Sequence, residues 1–213
     1  MRGGGITVPI NRSCIVITTK TILLMAAGYF AGSIPTGVIL SRFFSTRDIR
    51  AEGSGNIGAT NVYRVLGVKL GVLTLIGDVL KGVVPVMASR LLLAEDGWIA
   101  VVAFVTFCGH LFPVFLKFRG GKGVATALGI FLVIAPAMVA GAAAIFLAVV
   151  LKWRYVSLGS ITAALAMPVL LGAAGYPCTF ILLGAAMAGL VVYRHRDNIK
   201  RLREGSEKKM RGG

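Results

Sequence analysis

Apolar residues in this chain come in long runs, near 21–40, 68–93, 98–118, 124–151, 156–174 and 178–193. A bilayer crossing needs about 20 such residues at ~1.5 Å each, so the pattern predicts an all-α, polytopic integral membrane bundle. The run from Val124 to Leu151 is long for one crossing and short for two, and Pro136 divides it.

Charge between the runs arbitrates. Arg42, Arg47, Arg50 and Arg64 follow the first run, and Lys117, Arg119 and Lys122 follow the third, whereas Ala94 to Gly97 holds no Lys or Arg. Lys152 and Arg154 follow the divided run, Gly175 to Pro177 is uncharged, and the tail from Arg194 carries eight basic residues. Basic loops stay in the cytoplasm. Both ends of 124–151 are therefore cytoplasmic, and the run either crosses twice, as short helices meeting near Ala135 and Pro136, or re-enters. The expectation is about seven transmembrane segments, N-terminus outside and C-terminus cytoplasmic. Arg2, Arg12 and Lys20 oppose that orientation and are outweighed by the later alternation. The chain divides into an arm at 1–20, one transmembrane domain at 21–193 and a basic cytoplasmic tail at 194–213. The arm does not read as a signal peptide, because the apolar run continues to Leu40. Gly28 with Gly32, and Gly67 with Gly71, are spaced for close helix packing.

Composition agrees with a membrane protein. Of 213 residues, 56% are hydrophobic and 15% charged, against roughly 25% charged in soluble domains. The net charge of +15 does not indicate nucleic acid, because the basic residues lie between apolar runs and form no continuous stripe. Cys14, Cys108 and Cys178 are odd in number and widely spaced, which indicates neither a disulfide framework nor a metal site. No cofactor is implied.

Chemistry concentrates in three clusters. In the first, Gly53-Ser54-Gly55-Asn56-Ile57-Gly58-Ala59-Thr60-Asn61 precedes Arg64. Glycines let successive N–H groups turn toward one point, hydroxyls and amides add donors, and Arg adds a two-pronged fork, together a cradle for phosphate. In the second, Gly120-Gly121-Lys122-Gly123 opens a helix at the membrane edge. It is not a P-loop, since Gly123 follows the lysine and Leu116 stands where the first glycine belongs. A mobile backbone, a helix N-terminus and a lysine still suit phosphate or carboxylate. In the third, His195 and Asn198 are three apart and share a face if the last helix continues, with Glu207 farther along. Ser157, beside Arg154, is either a ligand donor or a helix-end hydroxyl. Asp78 and Lys81 are spaced for an ion pair inside the bilayer and read as structural support. All three clusters and Ser157 fall on the basic side, where they can share one interfacial pocket.

These residues carry a family resemblance. Gly32 to Gly37, Ser54 to Arg64, Asp78 to Gly82, Gly109 through Thr126, Arg154 to Ser157 and Tyr193 to Glu207 run in order over nearly the whole chain. The sequence resembles the bacterial glycerol-3-phosphate acyltransferases of the acyl-phosphate type, the PlsY family. The resemblance implies transfer of a fatty acyl group from acyl phosphate to the 1-hydroxyl of sn-glycerol 3-phosphate, giving lysophosphatidic acid and phosphate in the bacterial cytoplasmic membrane, with the site facing the cytoplasm. It implies Ser54 and Arg64 in the catalytic motif, Gly120 to Gly123 with Lys122 on glycerol phosphate, His195 and Asn198 in a third motif, and a structural Glu207. Neither histidine is followed by Asp at the fifth position, where Phe115 and Lys200 stand, which disfavours an acyl-CoA enzyme built on a His-Asp pair. The general base is His195 or a substrate phosphate. The competing classes are a small anion or phosphate transporter and a membrane scaffold.

Overall fold

A computed structural model describes residues 17–210 and is helical throughout, with no strand among the described residues. The first run forms α1, Thr19–Ser33, with the Thr18 hydroxyl accepting from the Thr21 amide at its start. The run does not stay one helix to Leu40. Pro35 has no N–H and biases Ile34 away from helix, so the chain breaks there and turns 42° into α2, Thr36–Phe44. A short helix, α3, Ala59–Leu66, follows the first glycine cluster and ends at Gly67 with φ of 90°. Helix α4, Val68–Leu92, packs against α1, α2, α3, α5 and α6. Beyond it lies α5, Asp96–Leu111.

The divided run breaks at Ala135. It makes α6, Val124–Ile134, and α7, Pro136–Trp153, with the proline at the first helical position where a missing N–H costs nothing. Helix α8, Val156–Ala173, α9, Cys178–Arg194, and α10, Arg196–Arg203, complete the chain, with a 58° bend between the last two. Residues 1–16 of the expected arm lie outside the described residues, and α1 takes up its last two positions.

Four helices, α4, α7, α8 and α5 with its extension to Leu116, are long and apolar enough to cross a bilayer. The bent pairs α1/α2 and α9/α10 raise that to six, and α6 is a shorter apolar helix of 11 residues. Leu91, Leu151 and Val169 stand on the outside, 70–78% exposed, where lipid replaces water as the natural contact. A core of Phe107, Leu111, Ile130, Leu171, Met187 and Val191 joins α5, α6, α8 and α9.

Small residues let the backbones approach. A Cβ on Gly28 or Gly32 would strike Thr106 of α5, and one on Gly71 would meet Tyr63 of α3. Gly67 does not belong with them, because nothing lies within 4 Å of its Cβ position and its positive φ is what ends α3. The Asp78–Lys81 pair forms at 2.8 Å with both side chains buried. Lys81 Nζ also donates to the Ile34 carbonyl at 2.9 Å, so the ammonium occupies an acceptor at the α1/α2 break.

Candidate active site

The 45–58 loop is pinned by two isoleucines. Ile49 and Ile57 are buried with Val38 of α2 and Val62 of α3. Gly53 and Gly55 turn with φ of 66° and 70°, where a side chain would be strained. Asn61, expected among the phosphate donors, spends its amide on the loop: Nδ2 donates to the Ile49 and Glu52 carbonyls at 2.8 and 3.1 Å, and Oδ1 accepts from the Ser54 amide at 2.7 Å. Asn56 Oδ1 accepts from Gly58 N. The Ser54 side chain is exposed and has no hydrogen-bond partner among the described residues, and Thr60 is exposed as well. The scaffold thus presents the Ser54 hydroxyl outward on a loop that Asn61 holds from below. Arg47 braces the rim through a two-pronged bond to Glu52 and a 2.7 Å bond to the Val65 carbonyl.

The second glycine cluster lies flat on the end of α5. The Gly120 and Gly121 amides donate to the Leu111 and His110 carbonyls at 3.2 and 3.1 Å, so they are not free to cradle a ligand. A Cβ on Gly120 would strike the His110 carbonyl, one on Gly121 the His110 ring, and one on Gly123 the Phe107 ring. These glycines permit contact with α5, and the expected mobile cradle is instead a packed turn. Arg194 locks it from the other side, donating to the Gly120 and Gly121 carbonyls. Sequence reasoning missed that clamp, since an arginine just past an apolar run reads as a membrane-edge anchor. Beyond the turn come Lys122, half-buried, and the first turn of α6, whose leading N–H groups have no intrahelical acceptor.

Lys122 reaches the third cluster. Its Nζ donates to Asn198 Oδ1 at 2.5 Å. Asn198 Nδ2 donates to Glu207 Oε1 at 2.6 Å, and the same oxygen accepts from the Ser157 hydroxyl at 2.7 Å. Arg201 Nε donates to Glu207 Oε2 at 2.7 Å. Glu207 therefore ties α10 to the start of α8, and Ser157 is committed to that carboxylate. The tail folds back: Met210 N donates to the Arg154 carbonyl at 2.7 Å, and Arg64 reaches the Lys208 carbonyl at 3.4 Å. Because Lys122 lies just before α6 and Ser157 in the first turn of α8, residues 124–153 leave this end of the bundle and return to it.

His195 is buried, and its Nδ1 lies 2.8 Å from the Val191 carbonyl. That acceptor requires the proton on Nδ1 and leaves Nε2 with its lone pair. Burial first, then the Lys122 charge, pushes the ring down to about 4, so it is neutral at physiological pH. Burial first, then the charges of Arg201 and Arg64, brings the Lys122 ammonium down to about 8 against the pull of Glu207. Burial works to raise the Glu207 carboxyl, and the bonds from Asn198, Ser157 and Arg201 outweigh it, leaving it below its ordinary value. The cluster joins a neutral imidazole to Lys122, Arg64, Arg201 and the Glu207 carboxylate that pairs with Arg201, a net positive balance that suits an anionic ligand carrying a hydroxyl. Ser54 makes no contact with this network, and the Asp78–Lys81 pair lies apart from it at the helix break.

Comparison with known proteins gives the family. A family model described as glycerol-3-phosphate acyltransferase matches residues 22–205. The glycerol-3-phosphate acyltransferase of Syntrophotalea carbinolica is 53% identical over 194 residues, covering 91% of this chain and 99% of that protein. That of Geotalea daltonii is 51% identical over 189 residues, covering 89% and 97%. The crystal structure of PlsY, an integral membrane glycerol 3-phosphate acyltransferase, in its glycerol 3-phosphate form superposes with a TM-score of 0.87 at 38% identity, over 90% of this chain and 96% of that one. Its lysophosphatidic acid form gives 0.84 at 37%, over 89% and 95%. With the sequence matched from residue 22 to 205 and the fold shared over 90% of its length, this multi-pass membrane chain belongs to the glycerol-3-phosphate acyltransferase family.

Proposed function

We propose that the protein moves a fatty acyl group from acyl phosphate to the 1-hydroxyl of sn-glycerol 3-phosphate, releasing lysophosphatidic acid and phosphate for phospholipid synthesis. The observation that carries the reading is the Lys122–Asn198–Glu207 chain, which joins the second and third clusters and Ser157 at the basic end of an apolar bundle. Lys122, Arg64 and the first turn of α6 hold the glycerol phosphate dianion. His195 Nε2 accepts from the neighbouring 2-hydroxyl and so orients the attacking 1-hydroxyl, while the exposed Ser54 hydroxyl and its loop meet the acyl phosphate.

The hydroxyl oxygen attacks the acyl carbonyl carbon, the bond from that carbon to the phosphate oxygen breaks, and phosphate leaves with the electron pair. The released proton goes to a substrate phosphate. A phosphate monoester has a second pKa of about 6 and is the stronger base beside an imidazole lowered to about 4. Donors aimed at the oxyanion lower the barrier, each contributing about 10² to 10³ in turnover.

In this reading the chain crosses seven times, through the bent pair α1/α2, α4, α5, α6, α7, α8 and α9 with α10 turned aside, with the N-terminus outside and the C-terminus and site on the cytoplasmic face. The basic groups gather at one end rather than in matching halves, which speaks against transport. The test is incubation of the purified protein with palmitoyl phosphate and glycerol 3-phosphate: wild type forms lysophosphatidic acid, and Ser54→Ala and Arg64→Ala lose about 10² or more of turnover while still folded.

A further inference from the structure

At the 58° elbow between α9 and α10 lies an open groove of about 410 Å³, whose lining includes none of Lys122, His195, Asn198 and Glu207. Val192, Tyr193 and Ile199 form its apolar wall, Arg196, Lys200 and Arg203 its basic rim, and Glu204 adds one carboxylate to the lining. The three cations recur at i, i+4 and i+7, one face of α10. Their own chain neutralises them poorly. Arg196 and Lys200 lie 3.9 Å from Asp197 and Glu204, at the limit of an exposed pair, and Arg203 has no ion-pair partner among the described residues. The Arg196 guanidinium stacks on the Tyr193 ring at 4.9 Å, which holds it at the mouth of the groove.

The groove sits where α9 changes from apolar residues ending at Tyr193 to a run of Arg194, Arg196, Lys200, Arg201 and Arg203. For a helix that crosses a bilayer, that change marks the headgroup level, and a helix turned aside there runs along the surface. An apolar wall continuous with the lipid-facing side of α9 and a basic rim at phosphate height match one ligand chemistry.

We propose that this elbow is a seat for an anionic phospholipid, with the phosphodiester on Arg196, Lys200 and Arg203 and an acyl chain descending past Val192 and Tyr193. The seat has a consequence for the site behind it. The opposite face of α10 carries Asn198, bonded to Lys122 and Glu207, so a headgroup on the outer face braces the helix that closes the site. The binding inference rests on α9 spanning the membrane and does not require the acyl-transfer reading.

The test counts bound lipid by native mass spectrometry on the full-length protein, offering phosphatidylglycerol and phosphatidylcholine of matched chains. A basic residue near an anionic surface contributes about fivefold in binding. Wild type retains phosphatidylglycerol in preference to phosphatidylcholine, and Arg196→Gln/Lys200→Gln/Arg203→Gln lowers that preference by about tenfold or more. A control that removes three charges elsewhere, Arg119→Gln/Lys208→Gln/Lys209→Gln, keeps it, and inorganic phosphate does not displace the lipid. No preference in wild type, equal loss in both triple variants, or displacement by free phosphate overturns the proposal. If the rim variant fails to fold, the three single replacements carry the test, each weakening the preference, and no effect in any of them overturns it.

Discussion

The Lys122 ammonium lies 2.5 Å from the Asn198 side-chain oxygen, 76 positions away in sequence. The lysine reads only one end of that amide, because the Glu207 carboxylate takes the other at 2.6 Å. A buried amide between a cation and an anion has one satisfying orientation, so Glu207 aims Asn198 and Asn198 aims Lys122.

A charge swap tests this order. Asn198→Asp keeps an oxygen for Lys122 and sets a second carboxylate against Glu207, where like charges repel. We expect a loss of about 10² or more in turnover, and partial recovery in Asn198→Asp/Glu207→Gln, which restores a donor facing an acceptor. Steady-state rates on protein of matched thermal stability read both outcomes, and a double variant no better than the single would break the chain at Glu207.

The pH dependence separates lysine from histidine. Lys122, lowered to about 8, carries its charge below that pH and loses it above. The Michaelis constant for glycerol 3-phosphate should therefore rise above about pH 8, and Lys122→Arg should remove that rise, because guanidinium stays charged. His195, lowered to about 4, is already neutral at pH 6. An acid limb near pH 6 then reports substrate phosphate and survives in His195→Ala at reduced rate. Disappearance of the limb in that variant would assign the base to His195.

Gly121→Ala places a Cβ against the His110 ring. The damage is to packing, so we expect a lowered melting temperature with both substrate constants affected, and recovery in Gly121→Ala/His110→Ala. A selective rise in the glycerol 3-phosphate constant at unchanged stability would show instead that this backbone touches the phosphate.

Orientation has a native reporter. Cys178 is exposed at the start of α9, at the uncharged loop. With Cys14 and Cys108 replaced by serine, a membrane-impermeant thiol reagent should label Cys178 only from outside, and a cysteine at Lys117 or Glu204 only from the cytoplasm. Labelling of Cys178 and Glu204→Cys from one side would contradict an odd number of crossings between them.

Helix existence was legible because lipid demands long apolar runs, and the break at Pro136 because proline cannot continue a helix. The break at Pro35 was equally written in the residues but lay inside a run that looked like one span. The three clusters were visible as concentrations of Gly, Arg and amide side chains, and their common end followed from charge. Individual roles were less visible. Asn61 and Ser157 look like ligand donors until their partners, Ile49 and Glu207, are known. The Gly120–Gly123 turn looks like a phosphate cradle until α5 is beneath it. A residue type states what it can bond, and only packing states which partner takes the bond.

The most direct measurement is the time course of lysophosphatidic acid and phosphate from proteoliposomes given acyl phosphate and glycerol 3-phosphate, with acyl-CoA as the alternative donor. The account predicts the two products in equal amounts from acyl phosphate and neither from acyl-CoA. Folded protein that releases phosphate without lysophosphatidic acid, or that acylates from acyl-CoA alone, would contradict it.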